Sequence, residues 1–321
     1  MDSKFSSDKY ILLTIDVEDW FQVENLRPWN PPQTWNEREL RVEKSTHRIL
    51  DLLDSVPISH TPNQQHTTND SSYSCLQPTT RQSWTPLRAT FFVLGWIARR
   101  LPNLVREIQD RGHEVASHGD NHLLCTDLSS QELERDLQDS KSLLEDICGQ
   151  EVIGYRAPSF SISESILKKI MNAGYKYDSS YNSFALHNRY GRVNFQNAKS
   201  SAGNVIQVDD GFYEVPISNL NLGKRVLPWG GGGYFRLMPT YIFVRGIKQI
   251  LSKNNAYVFY MHPWEFDPDQ PRVKGVSRQF GFRHYVNLHK TESKLQLLID
   301  SLPDQCSFVS CLEYLETNDF R

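Results

Sequence analysis

The sequence predicts an α/β protein in which short buried strands alternate with amphipathic helices. Strand-like apolar runs recur along the chain, as at residues 10–15, 88–94 and 256–261, and segments of helical period lie between them. Because a helix returns the chain for the next parallel strand, this alternation builds a parallel sheet or a barrel. The 321 residues suffice for a well-buried core.

The first half of the chain supplies three predicted strands. Residues 10–15 form an apolar run that ends at Asp16, and a helix with apolar residues between 40 and 53 follows. Residues 88–94 form the second strand. A helix over 102–111 begins with proline, stops at glycine 112 and precedes the short strand 114–116.

The second half continues the same alternation. Leucine spacing predicts a helix over 133–147, stopped by Gly149, and Ser163 begins another that ends at Gly174. The strands and remaining helices follow in chain order: strand 152–155, strand 175–178, helix 241–251, strand 256–261, helix 295–302 and strand 307–309.

We interpret residues 1–321 as a single domain with two interruptions and an extension. Residues 55–86 are rich in Ser, Thr, Asn, Gln and Pro, which predicts a disordered polar insertion. Residues 181–238 contain β-like pieces and four consecutive glycines at 230–233, which we interpret as an ordered excursion with a flexible loop near a groove. Residues 263–321 form a C-terminal extension.

Composition excludes several classes of function. Lys plus Arg number 35 and Asp plus Glu 38, so the net charge of -3 provides no global positive field for nucleic acid or an anionic membrane. The N-terminus lacks the basic start and apolar length of a signal peptide, and no run reaches membrane-spanning length, so we expect a cytoplasmic protein. Five scattered cysteines argue against a disulfide framework or a zinc finger.

Polar side chains collect where the predicted strands end. In a βα barrel those strand ends meet on one face, where active sites are built from several strands. One pocket can therefore hold the whole set, which consists of Asp16, Glu18, Asp19, His118, His122, Arg156, Asp178 and His262.

His118 and His122 are four residues apart in the segment SHGDNH. On a helical turn both imidazoles would share one face and bind a single divalent metal, with a carboxylate from elsewhere completing the set. An isolated pair of this spacing is more often two ordinary histidines. The preceding strand and the acids at another strand end favour a metal site.

Three acids lie within four residues at Asp16, Glu18 and Asp19. Like charges so close repel each other unless a metal or an arginine neutralises them, or one is protonated. An acid-rich helix start is the ordinary alternative. Because Asp16 is the first polar group after a buried strand, we favour a functional site.

Arg156, Asp178 and His262 carry less information when each is considered alone. Arg156 ends a strand just before Ala157 and Pro158 and suits pairing with a carboxylate, although an ordinary surface arginine is equally expected. Asp178 can serve as a turn cap. His262 ends an apolar strand, where a hydrogen-bonded core histidine is as common as a catalytic one.

In this order, the motifs resemble the NodB-homology polysaccharide deacetylases, carbohydrate esterase family four. The segments that carry the resemblance are TIDVEDW from residue 14, ATFFVLGW from 89, GHEVASHGDNH from 112, GYRAPSFSI from 154, YDSS from 177 and FYMHPWEFDPDQP from 259. The chain is most similar to the exopolysaccharide-locus, exosortase-associated (PEP-CTERM) branch, which carries a DUF3473-type C-terminal region.

The resemblance implies an irregular (β/α)7-type barrel that holds one divalent metal ion, usually zinc in this family. It also implies an enzyme that hydrolyses N-acetyl groups on amino sugars of a polysaccharide or its precursor in exopolysaccharide biosynthesis. It implies Asp16 as general base, Arg156 as its partner, His262 as general acid and Asp178 as the orienting carboxylate. The implied metal ligands are His118, His122 and either Glu18 or Asp19. The family usually has two adjacent acids in its first motif, whereas Val17 follows Asp16 here.

Two alternative functions remain open. One is a metal-dependent amidase acting on a small non-sugar amide, and the other is an inactive sugar-binding protein. The expected partner is an N-acetylated oligo- or polysaccharide, without nucleic acid and without a membrane span. Aromatic residues that could stack on sugar rings are Trp20, Phe21, Trp229, Tyr234 and Trp264.

Overall fold

The computed structural model describes residues 9–56, 58–59, 84–85, 87–184, 191, 193–195, 200–202, 204–223, 225–302, 306–318 and 320. Within these ranges the strands are β1 (Lys9–Val17), β2 (Ile58–Ser59), β3 (Trp84–Thr85), β4 (Thr90–Val93), β5 (Glu114–Ser117), β6 (Gly154–Tyr155), β7 (Tyr177–Asp178), β8 (Ser200–Ala202), β9 (Val205–Asp209), β10 (Phe212–Glu214), β11 (Asn219–Leu222), β12 (Arg225–Pro228), β13 (Ala256–Met261) and β14 (Cys306–Phe308).

The helices surround the sheet and connect its strands. They are α1 (Val42–Ser55), α2 (Gly95–Arg100), α3 (Pro102–Asp110), α4 (Ser130–Cys148), α5 (Glu164–Asn172), α6 (Gly232–Leu237), α7 (Thr240–Leu251), α8 (Arg278–Tyr285), α9 (Thr291–Asp300) and α10 (Cys311–Thr317). Within the described part of the chain, none of these helices combines the length and apolar character needed to cross a bilayer.

One ten-stranded sheet organises the molecule. Its strand order is β13-β1-β4-β5-β6-β7-β10-β9-β8, with β14 also paired to β1. The strands from β13 to β10 pair in parallel, and β9 and β8 continue antiparallel. Beyond β10, Ser218 N donates to Val258 O of β13 at 3.3 Å, which brings the two ends of the parallel series together. The predicted irregular barrel of parallel strands is confirmed.

Strand β1 explains why Asp16 faces the barrel interior. Its side chains alternate between two apolar clusters, one containing Ile11 and Leu13 and the other Tyr10 and Leu12. The second cluster includes residues from β4, β5, β7 and α10, so it fills the barrel. Because Asp16 has the same parity as Leu12, it lies on the interior face at the carboxyl end of the strand.

Local signals fix the helices around this sheet. In α4, Ser129 and Glu132 form a reciprocal capping box, and Gly149 ends the helix with φ of 67°. Leu133 and Leu137 are buried on the face that meets the sheet. The stop at Gly149 was predicted from sequence, because only a residue without Cβ adopts this backbone conformation at low cost.

The glycine run at residues 230–233 is not the flexible loop that the sequence suggested. Gly231 forms an isolated bridge with Tyr260, and Tyr260 N donates to Gly230 O at 2.7 Å. A Cβ on Gly232 would collide with the carboxylate of Glu265. The glycines therefore permit close packing against β13 and the segment that follows it.

The polar insertion predicted over 55–86 lies largely outside the described residues. Its two ends are described: β2 and β3 pair antiparallel, with Ile58 opposite Thr85 and Ser59 opposite Trp84. Residues 58 and 85 are therefore neighbours, whatever path the chain takes between them.

Candidate active site

Asp16 and Arg156 form a fully buried ion pair at the carboxyl end of the barrel. Arg156 Nη1 donates to Asp16 Oδ1 at 2.7 Å and to Thr14 Oγ1 at the same distance. Its Nε and Nη2 donate to the carbonyl and hydroxyl oxygens of Ser179 at 2.9 and 2.8 Å, and its guanidinium lies 4.1 Å from the Phe92 ring centroid. These contacts hold Arg156 in one orientation, with Asp16 as its counter-charge.

Glu18, His118 and His122 form a three-residue cluster beside this pair. One ligand atom from each lies within 4.8 Å of the others, and all three residues are buried. Glu18 Oε2 is 2.7 Å from His122 Nε2, yet no described residue donates a hydrogen bond to that oxygen. This arrangement is suited to binding a cation, because a buried carboxylate oxygen and an imidazole nitrogen lie close together without a hydrogen bond between them.

Hydrogen bonding and charge prepare these side chains as ligands. His118 Nδ1 lies 2.8 Å from the Arg156 carbonyl oxygen, which accepts a hydrogen bond from it and leaves Nε2 as the unprotonated nitrogen. Burial lowers the pKa of His118 to about 4, so its imidazole is neutral near pH 7. Burial alone would raise the pKa of Glu18, but His122 and His262 outweigh it and lower that pKa to about 2.

His118 and His122 do not lie on a helical turn, which corrects the sequence interpretation. They follow β5 in a loop where Gly119 has φ of 76° and His122 has φ of 51°. The positive φ values fold the loop back on itself, so that the two ring centroids are 5.4 Å apart. The spacing of four residues correctly indicated that the two imidazoles lie close together. The reason is a loop with positive φ angles, and not a shared helix face.

Asp19, the other candidate carboxylate ligand, is held away from this cluster by backbone donors. Its Oδ1 accepts from Trp20 N at 2.8 Å, and its Oδ2 accepts from Arg41 N and Val42 N at 2.6 and 2.8 Å. Burial raises its pKa to about 6, although these donors oppose the rise. The structure brings Glu18, and not Asp19, to the two histidines.

His262 faces the same cluster from the end of β13. Its Nε2 lies 3.6 Å from Glu18 Oε1 and 3.9 Å from Asp16 Oδ2. Its Nδ1 is 2.9 Å from Glu265 Oε1, and its ring stacks on Trp264 at a centroid distance of 5.1 Å. Burial lowers the pKa of His262, but Glu18, Glu265 and Asp16 together outweigh burial and raise it to about 9.

Glu265 is itself fixed by a buried arginine. Arg236 Nε, on α6, donates to Glu265 Oε2 at 2.7 Å, and both side chains are almost fully buried. Arg236 Nη1 also donates to the carbonyl oxygens of His284 and Val286 at 2.9 and 2.7 Å. Burial would raise the pKa of Glu265, yet Arg236 and His262 lower it, so this carboxylate stays charged.

Asp178, which the resemblance implied as the partner of His262, makes other contacts. Its oxygens accept from Ser180 N at 3.1 Å and from Ser180 Oγ at 2.7 Å. Glu214 on β10 lies opposite it in register. Burial raises the pKa of both carboxyls, and the charge of Asp178 raises that of Glu214 further. The carboxylate that contacts His262 is Glu265.

Sequence reasoning missed Glu265, Arg236 and Glu214. Glu265 stands three residues after His262 in HPWE, a spacing that one turn of 3-10 helix closes. Arg236 follows the glycine run in GGGGYFR, which was interpreted only as a loop. Glu214 gave no signal, since its proximity to Asp178 arises from pairing of β7 with β10.

The predicted aromatic contacts to sugar divide into two groups. Tyr234 and Trp264 line the pocket that contains Asp16 and His262. Trp20, Phe21 and Trp229 are core residues: Trp20 packs edge-on against Phe21, and Trp229 stacks on Phe243.

Comparisons with known families agree with this architecture. Residues 85–177 match the polysaccharide deacetylase family, and residues 179–316 match a domain of unknown function, DUF3473. The chain therefore carries a NodB-homology polysaccharide deacetylase domain joined to DUF3473, and the resemblance inferred from the motifs is confirmed.

Two curated relatives share part of the chain. A peptidoglycan-N-acetylglucosamine deacetylase from Bacillus cereus is 34% identical over 88 residues, which is 27% of this chain and 41% of that protein. A chitooligosaccharide deacetylase from Sinorhizobium fredii is 31% identical over 130 residues, covering 39% of this chain and 60% of that protein. The chain thus aligns with less than two thirds of either relative.

A solved structure supports the fold. A protein from Mycobacterium smegmatis, assigned as a polysaccharide deacetylase, superposes with a TM-score of 0.57 at 16% identity, covering 98% of this chain and 92% of that one. At this identity the likeness bears on the barrel architecture alone.

Proposed function

We propose that the protein is a metal-dependent deacetylase that hydrolyses N-acetyl groups on amino sugars. The observation that carries this proposal is the convergence of Glu18, His118 and His122 next to the buried Asp16–Arg156 pair and His262. A single pocket thus holds a candidate metal centre, a candidate base and a candidate acid, which is what hydrolysis of an unactivated amide requires.

The three ligands fit a divalent metal ion. One carboxylate oxygen and two imidazole nitrogens suit zinc and similar borderline cations, and three protein ligands leave a position open. Two observations support this fit. Glu18 Oε2 has no hydrogen-bond donor among the described residues, and the hydrogen bond from His118 Nδ1 leaves His118 Nε2 available to a metal. A metal bound there would supply Lewis acidity towards the acetyl carbonyl group and lower the pKa of water.

Asp16 is proposed to take the proton from the attacking water. Its Oδ1 is occupied by Arg156, which leaves Oδ2, the oxygen that faces His262 at 3.9 Å, free to accept. Arg156 supplies the counter-charge of Asp16 and fixes its orientation.

His262 is proposed to donate a proton to the departing amine. An amine is a poor leaving group until it is protonated, so the acid must be charged when the carbon–nitrogen bond breaks. The carboxylates around His262, which raise its pKa to about 9, keep it protonated at neutral pH.

We assign the orienting role for His262 to Glu265 in place of Asp178. The 2.9 Å contact to Nδ1 directs Nε2 towards Asp16 and Glu18, and Arg236 prevents Glu265 from turning away. Both residues lie in the segment that matches DUF3473, so we propose that this region completes the catalytic machinery.

The proposed substrate is an N-acetylated oligo- or polysaccharide or its precursor. Support comes from the family match, from relatives named for peptidoglycan and chitooligosaccharide deacetylation, and from Tyr234 and Trp264 in the pocket wall. We further propose a role in exopolysaccharide biosynthesis, on the resemblance of the motifs to that branch of the family.

Acetate release from N-acetylglucosamine oligomers tests this function. The protein loaded with zinc should release acetate and lose activity on chelation, and Asp16→Asn should bind zinc normally without turnover. Release from simple acetamides but not from oligomers would favour the amidase. Zinc binding without acetate release from any N-acetylated compound would favour the inactive sugar-binding protein and overturn the proposal.

A further inference from the structure

Exposed apolar side chains are concentrated in two segments, each of which contributes one side chain to the wall of the catalytic pocket. Among the described residues, five of the seven large hydrophobic side chains that are exposed lie in two short segments. They are Leu237, Tyr241 and Ile242 at the junction of α6 and α7, and Phe280 and Phe282 on α8. Leu237 and Phe280 both line the pocket, which places the two segments side by side. We call this group the apolar rim.

Helix α8 lies at the surface of the protein. Of its eight residues only His284 is buried, and it stacks on Trp264 with ring centroids 4.4 Å apart. Phe280 and Phe282 are about 200° apart around the helix, so they project from different sides. Phe280 faces the catalytic pocket, and Phe282, which is 61% exposed, borders a second concavity lined by Arg278.

Helix α8, which carries Phe280 and Phe282, lies within a basic stretch of the sequence. Residues 270–291 contain no Asp or Glu, and their cations are Arg272, Lys274, Arg278, Arg283 and Lys290. None of these five forms an ion pair with another described residue, and Arg272 instead lies over the ring of Tyr285 at 4.1 Å. The net charge of -3 for the whole chain therefore conceals a local positive surface.

We propose that the apolar rim and these cations dock onto a membrane surface that contains anionic lipids. Exposed phenylalanine side chains with lysine and arginine side chains beside them are features of a surface that lies in the bilayer interface. The basic side chains would contact lipid headgroups while the phenylalanines enter the acyl boundary. A polysaccharide chain alone would leave Tyr241 and Phe282, which are 76% and 61% exposed, without an apolar partner.

With this surface docked, the catalytic pocket would lie next to the membrane surface. Phe280 and Arg283 belong both to the pocket wall and to the docking surface, so a saccharide anchored to lipid would enter beside them. This consequence rests on the proposed function, whereas vesicle binding can be measured without catalysis. A failure of the membrane-docking proposal is therefore distinguishable from a failure of the proposed deacetylase function.

Sedimentation with vesicles tests the proposal. The protein should bind vesicles of phosphatidylcholine mixed with phosphatidylglycerol, and far more weakly those of phosphatidylcholine alone. The double variant Lys274→Gln/Arg278→Gln and the variant Phe282→Ser should each bind the mixed vesicles about tenfold less tightly or worse. Acetate release from a soluble oligomer should be unchanged, because neither variant alters the catalytic machinery.

Lys168→Gln and Leu297→Ser serve as matched controls, because they remove an exposed cation on α5 and an exposed apolar side chain on α9. Both should bind the mixed vesicles as the unaltered protein does. Three results would overturn the proposal: no binding to anionic vesicles, equal loss in the controls, or a dimer in solution that Phe282→Ser dissociates. The last would identify the apolar rim as an interface between two copies of this chain.

Discussion

Glu18 illustrates how far a single residue could be assigned from sequence. Three acids follow β1, and their spacing alone left Glu18 and Asp19 equivalent as ligands. The distinction depends on Arg41 and Val42, whose backbone amides donate hydrogen bonds to the carboxylate of Asp19. Those amides belong to a segment more than twenty residues away in sequence, so only the folded chain reveals which carboxylate is free.

His262 gives the same lesson for the proposed catalytic acid. Its position at the end of an apolar strand was predicted, but its carboxylate partner was expected to be Asp178. The register of β7 with β10 pairs Asp178 with Glu214 instead, and the 3-10 turn after β13 brings Glu265 to His262. Strand register depends on long-range pairing that the local sequence does not encode.

We expect Glu265→Gln to lower kcat by roughly 10²-fold or more with little change in KM, since general acid catalysis contributes on this scale. The amide keeps the size of the side chain but removes its charge and leaves Arg236 without a counter-charge. Steady-state kinetics on a soluble oligomer measures both constants.

Asp178→Asn is the matched control for that variant. An asparagine keeps the size of the side chain and one of the two oxygens that accept from Ser180, so we expect a small effect on kcat. A large loss in Asp178→Asn with a small one in Glu265→Gln would restore Asp178 as the orienting carboxylate.

At the scale of elements, the strand–helix alternation was largely predictable and the short elements were not. The helix over 133–147 and the strand 256–261 correspond to α4 and β13, because both have long, regular apolar patterns. Helices α6 and α8 were missed. α6 has six residues and begins with two glycines, and α8 has a single buried residue, so neither shows a helical period.

Gly232 at the start of α6 provides a test of the close packing behind His262. Gly232→Ala should displace Glu265 and reduce kcat while the helical content is retained, because the added methyl group collides with the carboxylate. Gly233→Ala is the control, since a Cβ there meets nothing within 4 Å. Activity and circular dichroism would be compared. Equal activity in the two variants would show that Gly232 does not constrain Glu265.

The pairing of β2 with β3 leads to a prediction for the polar insertion. Replacing residues 60–83 with a short Gly/Ser turn should leave stability and acetate release nearly unchanged, since the two ends already lie side by side. Loop closure entropy changes by only about 0.6 kcal/mol for each halving of loop length. Thermal unfolding and the deacetylase rate would be measured. Loss of turnover in a folded variant would mean that the insertion reaches the active site.

At the scale of the whole molecule, two sequence regions build one barrel. Strands β4 to β7 lie in the region that matches polysaccharide deacetylase, whereas β10, β13 and β14 lie in the region that matches DUF3473. Both sets pair within the same sheet. The single domain over residues 1–321 stays a prediction.

Stability should decrease in acid because of His113 at the base of the barrel. Burial lowers its pKa to about 4 from an ordinary value near 6.5, and neither ring nitrogen has a hydrogen-bond partner among the described residues. Between these two values the unfolded chain binds more protons, so the free energy of unfolding falls as the pH falls, by up to about 1.4 kcal/mol per pH unit for this group. The loss should begin near pH 6.5.

The variant His113→Phe isolates this contribution, since the ring packs against Phe91 at a centroid distance of 5.1 Å. Denaturant unfolding between pH 4.5 and 7.5, which is roughly the window set by the two pKa values, should give a shallower dependence for the variant. An unchanged slope would show that His113 does not titrate with unfolding.

The central claim is that Glu18, His118 and His122 hold a metal ion beside Asp16. Its most direct test is the zinc content of the purified protein and of two variants, measured after equilibration with zinc and removal of the excess. We expect one zinc per chain in the unaltered protein and in Asp19→Asn, and substoichiometric zinc in Glu18→Gln. Full zinc occupancy in Glu18→Gln, together with loss of zinc in Asp19→Asn, would contradict the account.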